Sequence, residues 1–254
     1  GAYDDVIRHS LSRLSSFHLV TNNLSRNRLI KWDEKKNRIF KIGYPPGIEI
    51  IKKKFASKKE IEKLFGLSNN ENIIIFTLHP LTNSNSKKKD YKILLRVLFN
   101  LSKKNKVIVT YPNFDPGYKE ILTLYKNLKY NKNILIKKNL GKYLYYGILN
   151  YCGKYNNGFC MGNSSSGIKE AVFFKCLVLD IGERQLGRLA PKNVKNVEFD
   201  YKKIMKEVNL ILNKKNHKKI NQNPYNVRHF KKNILQVAKN IFKEKNSQLK
   251  KFNI

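Results

Sequence analysis

Short apolar runs alternate with longer stretches in which apolar residues recur every three or four positions, and this alternation is regular from residue 48 onward. The runs at 73–78, 107–111, 134–137, 158–161, 177–181 and 197–199 read as strands. The periodic stretches at 58–65, 90–103, 116–128, 141–151, 167–174 and 201–213 read as amphipathic helices between them. Strands joined by helical crossovers build a parallel sheet covered on both faces, and ligands of such sheets collect at the carboxyl ends of the strands. Ahead of this, a helix is expected at 5–14, with Ile7, Leu11 and Leu14 on one face and Asp4 or Asp5 at its N-cap, followed by strand 17–21, helix 25–32 and strand 38–42. Gly43-Tyr44-Pro45-Pro46-Gly47 is the clearest linker signal and marks a domain boundary. A last helix at 227–242 places Phe230, Ile234, Val237 and Ile241 on one stripe, and the lysine-rich tail after it is expected to fray. No internal repeat is present.

One stretch stands out for its chemistry. Cys160-Met161-Gly162-Asn163-Ser164-Ser165-Ser166-Gly167-Ile168-Lys169-Glu170-Ala171 reads as a buried strand end, a turn of small residues and a helix start. Small residues let the backbone approach a phosphate, and the N–H groups opening a helix favour an anion. Glu170, expected in the first helical turn, is a carboxylate able to accept from paired ribose hydroxyls. An ordinary helix cap is the competing reading, with Gly167 as the position that pairs with Glu170 at capping-box spacing. From the local pattern both stay open.

Composition narrows the class. The 254 residues suffice for a sizeable core, and their formal net charge is +34. Such a charge suits nucleic acid or an anionic surface, but the lysines spread over nearly every segment beside asparagines. No aromatic-rich RNA-binding signature, zinc-finger spacing or zipper accompanies them. A compositional bias with a basic face is the preferred reading, and an acidic ligand such as a nucleotide is compatible with it. Cys152, Cys160 and Cys176 form no CxxC pair and sit among apolar residues, as reduced core cysteines of a cytoplasmic protein do. The 5 histidines include no HExxH, so a metal site has little support. No apolar run reaches membrane-spanning length and no signal-peptide pattern opens the chain. The opening Gly1-Ala2-Tyr3-Asp4-Asp5 lacks a Met and enters a helix at once, as an interior stretch would.

Several reactive residues follow expected strand ends. His79 follows the first strand of the regular region, Asn113 and Asp115 the second, the serine turn the fourth, and Arg184, Gln185 and Arg188 the fifth. Each alone has a plain explanation as a turn residue, a cap or solvated surface. Their gathering on one rim is what favours a binding site.

The segments GAYDDVIRHSLSRLS, TLHPLT, YPNFDPG, GNSSSGIKEA and IGERQLGR resemble, in order and over nearly the whole chain, the motifs of the hydrolysing UDP-N-acetylglucosamine 2-epimerases of sialic-acid and related sugar biosynthesis. The serine motif with the GxRQxGR-like segment is fairly specific for the hydrolysing branch; the layout is shared with non-hydrolysing epimerases. The resemblance implies an α/β, glycosyltransferase-B-like fold of two Rossmann-like halves. Residues 1–45 would be a C-terminal remnant of the first half, 46–225 the UDP-binding half, and 226–254 a crossover helix and basic tail. It implies elimination of UDP across C1 and C2 of UDP-N-acetylglucosamine, then addition of water to give N-acetylmannosamine, with no metal or redox cofactor. Acid and base groups are needed on opposite sides of the ring, and cations at the departing phosphate.

Residue by residue, the resemblance implies catalytic roles for Asp4, its partner cation Arg8, and His79. It implies UDP binding by Ser164, Ser165, Glu170, Arg184, Gln185 and Arg188, and sugar binding by Asn113 and Asp115. Lys169 stands where the family usually has Arg, and Glu183 where it commonly has Thr. Two further catalytic carboxylates of the family belong to segments that would precede Gly1, so little turnover is expected from these residues alone. Association as a homodimer or tetramer is implied, with no specific nucleic acid and no membrane insertion. Two other functions remain: a glycosyltransferase of the same architecture using a UDP-sugar, and a basic nucleic-acid-binding protein, which would bind with a steep salt dependence and no preference for UDP.

Overall fold

The computed structural model describes residues 3–68, 71–81, 88–213, 222–226 and 228–243, with the side chains of all of these except Tyr3, Asp4, Asp5, Lys88 and Lys89. The chain forms two compact units, one of Gly1–Ile48 with Pro224–Ile254 and one of Glu49–Asn223.

In the first unit, helix α1 (Tyr3–Leu14) leads to strand β1 (His18–Val20), helix α2 (Asn23–Lys31) and strand β2 (Ile39–Lys41), which pairs parallel with β1. Asn22 starts α2 because its short side-chain amide oxygen reaches back to accept from the Ser25 N–H at 2.9 Å. Val20, Leu29 and Ile39 form a small apolar cluster with Ile30 and Trp32 against it. Polar contacts supplement this core. Glu34, buried, receives His18 Nε2 at 3.0 Å and Arg13 at 3.3 Å, and Arg13 also donates to the Trp32 carbonyl at 2.6 Å. The last helix, Phe230–Lys243, lies against β2, where Asn233 donates to the Lys41 carbonyl at 3.1 Å.

Helix α3 (Gly47–Ile51) straddles the division, so the Pro-Gly stretch expected as a linker ends by opening a helix. In the second unit helix α4 (Lys58–Phe65) carries a full capping box between Ser57 and Glu60. Then come β3 (Ile73–Thr77), α5 (Lys88–Leu101), β4 (Lys106–Thr110), α6 (Tyr118–Lys126), β5 (Ile134–Lys137), α7 (Gly141–Lys154), β6 (Gly158–Gly162), α8 (Ser165–Lys169), β7 (Val178–Ile181), β8 (Val194–Val197) and α9 (Tyr201–Asn213), with Phe230–Lys243 as α10. The six strands of this unit are all parallel in the order β5-β4-β3-β6-β7-β8. Every residue of β3 and β6 is buried, as a central parallel strand with two covered faces requires. One apolar cluster, including Phe76, Leu98, Val109, Ile121 and Ile204, fills one face; another, including Ile75, Ile108, Ile148 and Tyr151, fills the other. Cys152, Cys160 and Cys176 are free and buried.

Four expectations are corrected. The sixth strand of the regular region runs Val194–Val197 rather than 197–199: it is an edge strand whose exposed Lys195 and Asn196 hide it from an apolar-run reading. The helix expected at 116–128 waits until Tyr118, since Gly117 is left-handed at φ 92°. The helix of the serine stretch begins at Ser165, capped by Ser164 rather than Gly167, ends at Lys169 and gives way to a 3-10 turn at Ala171–Phe174. Glu170 thus closes the short helix instead of sitting in its first turn. At the chain start, Asp4 and Asp5 lie inside α1 and do not cap it. Among the described residues no helix is long and apolar enough to cross a membrane, and the tail after Lys243 lies outside them.

Candidate functional site

The strand order reverses between β3 and β6: successive strands run β3-β4-β5 to one side and β6-β7-β8 to the other. A parallel sheet leaves a crevice at the carboxyl ends of its strands at such a point, and Asn163 stands there, immediately after β6. Gly162 makes this possible. At φ 126° it takes a backbone few side chains tolerate, and a Cβ there would lie 2.0 Å from the Thr77 carbonyl oxygen. Asn163 is fully buried. Its side chain accepts from the His79 N–H at 2.7 Å and donates to the His79 carbonyl at 2.9 Å, so it completes the backbone bonding of the residue that leaves β3. Its own carbonyl accepts from Gln185 Nε2 at 2.7 Å and Arg184 Nη1 at 3.3 Å. One asparagine therefore links the ends of β3 and β6 to the loop after β7.

His79 is buried at 6% exposure. The Asn113 N–H, from the loop after β4, donates to its Nδ1 at 3.0 Å. A backbone N–H can only donate, so Nδ1 carries a lone pair and the neutral ring holds its proton on Nε2. Burial, with the Arg184 charge adding to it, pushes the His79 pKa down to about 4. At neutral pH the ring is an uncharged donor. Arg184 in turn reaches Asp115, from the same β4 loop, at 3.6 Å.

The structure thus brings together His79, Asn113, Asp115, Arg184 and Gln185 around Asn163, on the rim of four adjacent strands. Ser164 and Ser165 follow Asn163 directly, Glu170 closes α8, and each is half-buried. Gly167 lets α8 settle on β7, since a Cβ there would stand 2.9 Å from Val178 Cγ1. Gln185 is buried, and its Oε1 has no protein partner among the described residues. Arg188 is half-buried beside the same loop, its N–H donating to the Gln185 carbonyl at 3.2 Å. Arg8 is exposed on α1, in the other unit, and Asp4 is on the same helix with its side chain outside the described residues.

Sequence reading missed three members. Asn163 has no signature of its own, although a polar residue wedged between a glycine-ended strand and a serine turn is the signal that could have found it. Asp180, on β7, is buried; Asn196 donates to it at 2.9 Å, and burial raises its pKa to about 6 against the pull of Asn196, Arg184 and Arg188. Tyr145, on α7, joins its hydroxyl to Ser166 Oγ at 2.5 Å.

Residues 1–239 match the model of the family described as UDP-N-acetylglucosamine 2-epimerase. The chain belongs to the UDP-N-acetylglucosamine 2-epimerase family. It is 35% identical over 204 residues to a GDP/UDP-N,N'-diacetylbacillosamine 2-epimerase (hydrolyzing) of Campylobacter jejuni, covering 79% of this chain and 51% of that protein. It is 33% identical over 204 residues to a UDP-N-acetylglucosamine 2-epimerase of Neisseria meningitidis, covering 80% of this chain and 52% of that one. The chain therefore spans about half the length of these relatives. Among solved structures, the S. aureus MnaA–UDP co-structure aligns with a TM-score of 0.71 at 16% identity, over 98% of this chain and 67% of that one. The Methanocaldococcus jannaschii UDP-GlcNAc 2-epimerase in complex with UDP-GlcNAc and UDP aligns with a TM-score of 0.63 at 20% identity, over 89% and 61%. These establish the fold of this family member as α/β and glycosyltransferase-B-like, with parallel sheets.

Proposed function

We propose that this epimerase-family chain binds UDP at the rim around Asn163 and acts on UDP-N-acetylglucosamine by the hydrolysing route, releasing UDP and N-acetylmannosamine. The observation that carries the reading is the linkage of His79, Arg184 and Gln185 to the residue that opens the serine turn. On this reading Ser164, Ser165, Arg184, Gln185 and Arg188 hold the pyrophosphate, Glu170 accepts from the ribose hydroxyls, and Asn113 and Asp115 face the sugar. His79, neutral with its proton on Nε2, serves as an uncharged hydrogen-bond donor to the departing phosphoryl oxygen. For Asp4 and Arg8 the family resemblance alone supports a catalytic role. The hydrolysing route is supported by the serine and GERQLGR segments and by the hydrolyzing relative; assembly as a homodimer or tetramer in the cytoplasm belongs to the same proposal. The chain's coverage of about half of its relatives supports low turnover by these residues alone.

Calorimetric titration of the chain with UDP tests the binding. Binding is expected, weakened about tenfold or more in Ser164→Ala and in Glu170→Gln, in keeping with hydrogen bonds to charged groups. No UDP binding by the unaltered chain overturns the reading. The reaction type is read by NMR from the products of UDP-N-acetylglucosamine. Free N-acetylmannosamine is expected; an epimerised sugar still joined to UDP would assign the non-hydrolysing type, and transfer to an added acceptor sugar a glycosyltransferase. Robust turnover would defeat the expectation of low activity.

A further inference from the structure

Behind the serine turn runs a chain of three hydroxyls. Tyr145 OH lies 2.5 Å from Ser166 Oγ, Ser166 Oγ lies 3.0 Å from Ser164 Oγ, and the Ser166 N–H points at Ser164 Oγ at 3.4 Å. The direction of the protons along it follows from the buried end. Tyr145 packs against the apolar cluster of one sheet face, with the Cys160 thiol and the Glu170 carboxylate near its hydroxyl. Of the two acceptors within reach of the phenol, the Ser166 hydroxyl and the Cys160 sulfur, sulfur is the weaker, which favours Ser166 for the phenol proton. Burial holds the Tyr145 pKa well above its ordinary value, so the proton is always there to give. Ser166 Oγ, accepting from Tyr145, turns its own proton to Ser164. Ser164 Oγ then accepts twice, from the Ser166 hydroxyl and the Ser166 N–H. In this direction both lone pairs of Ser164 are used, and its own O–H is left to point away from Ser166. Hydroxyls linked in series polarise one another in one direction.

We propose that Tyr145 is a positioning residue of the nucleotide site: through Ser166 it fixes the Ser164 hydroxyl as an outward donor to a phosphoryl oxygen. Without the phenol the two serines are free to reverse, Ser164 donating to Ser166, and the site then presents a lone pair to an anion where it had presented a proton. The assignment rests on the UDP-binding reading above, and it makes Ser164 a recogniser of phosphate and not of the nucleoside.

The test is a double-mutant cycle on the full 254-residue chain, titrated with UDP and, separately, with inorganic pyrophosphate, with thermal unfolding recorded for each variant. Tyr145→Phe keeps the ring and removes only the phenolic group. It is expected to weaken both ligands about threefold to tenfold, the span of one neutral hydrogen bond, with little change in Tm. Ser166→Ala is expected to weaken them comparably, and the double variant no more than the worse single one, because all act through Ser164. Unaltered affinity in Tyr145→Phe, while Ser164→Ala still loses UDP, overturns the relay alone. Additive losses in the double variant overturn it as well. Failure of the unaltered chain to bind either ligand overturns the relay together with the nucleotide site.

Discussion

The two units of this chain solve the same packing problem with unequal means. In the larger, a six-stranded parallel sheet has both faces covered, and its central strands are buried at every position. In the smaller, two short parallel strands and α2 share, among the described residues, a cluster of Val20, Leu29 and Ile39, and a buried Glu34 bonded to His18 and Arg13 does part of the joining. Two paired strands are marginal unless other elements support them, and the Glu34–Arg13 pair, with Arg13 half-exposed, gains little against the desolvation of the buried carboxylate. Helix α1 of that unit also leaves Val6, Ile7, Leu11 and Leu14 between 56% and 79% exposed. The contrast explains where a precise site can be built: groups need to be held to a few tenths of an ångström, and a close-packed sheet edge does that.

The largest effects should separate the units by core truncation. Phe76→Ala, at a fully buried position of β3, should lose about 3–5 kcal/mol in denaturant unfolding, and Leu29→Ala, in the small cluster, roughly 2. Equal losses would break the comparison. Next, Asn163→Ala should lose about 2–4 kcal/mol, because it strands the His79 N–H and carbonyl in the interior, and it should abolish measurable UDP binding. A small stability loss with UDP affinity intact would show that the rim does not depend on this link.

Acid titration sharpens the picture at the same edge. His79 is held neutral, with a pKa lowered from 6.5 to about 4, so the unfolded chain binds its proton first and stability falls as pH drops through that window. Asp180 runs the other way. Its pKa is raised from 3.8 to about 6, so the folded chain binds the proton first and this contribution favours folding as pH drops from about 6 toward 3.8. The two slopes oppose each other. Asp180→Asn, which removes the second, should be more stable than the unaltered chain above pH 6 and lose that advantage toward pH 4, a change of about 2 kcal/mol at roughly 1.4 kcal/mol per pKa unit. A difference independent of pH would mean that Asp180 ionises normally. The smallest effect belongs to the exposed face of α1: Leu11→Ser should move stability by no more than about 0.5 kcal/mol, and a larger loss would show that the helix face is packed in solution.

Much of this was written in local pattern. The apolar runs located β3, β4, β6 and β7, because a parallel strand buried on both sides needs several adjacent apolar residues, and edge strand β5 was found by its Ile134-Leu135-Ile136 run; the loop residues after them followed. Edge strand β8 was misplaced because its exposed Lys195-Asn196 centre breaks any such run. The serine turn was legible as small residues after a strand, yet its cap and the place of Glu170 were not, since Ser164, Ser165 and Ser166 are equivalent as letters and only the packing of Gly167 on Val178 settles the register.

By itself, then, the sequence determined the alternation of elements, the strand ends that carry polar groups, and the family. Only the tertiary structure decided that Asn163 is the hub, that Tyr145 stands behind the serines, and that His79 is neutral with a fixed proton. The physical reason is one of range. Periodicity is a property of neighbours along the chain, whereas a buried hydrogen bond or a shifted pKa depends on what lies within a few ångströms in space, and at this rim the partners come from four different strands.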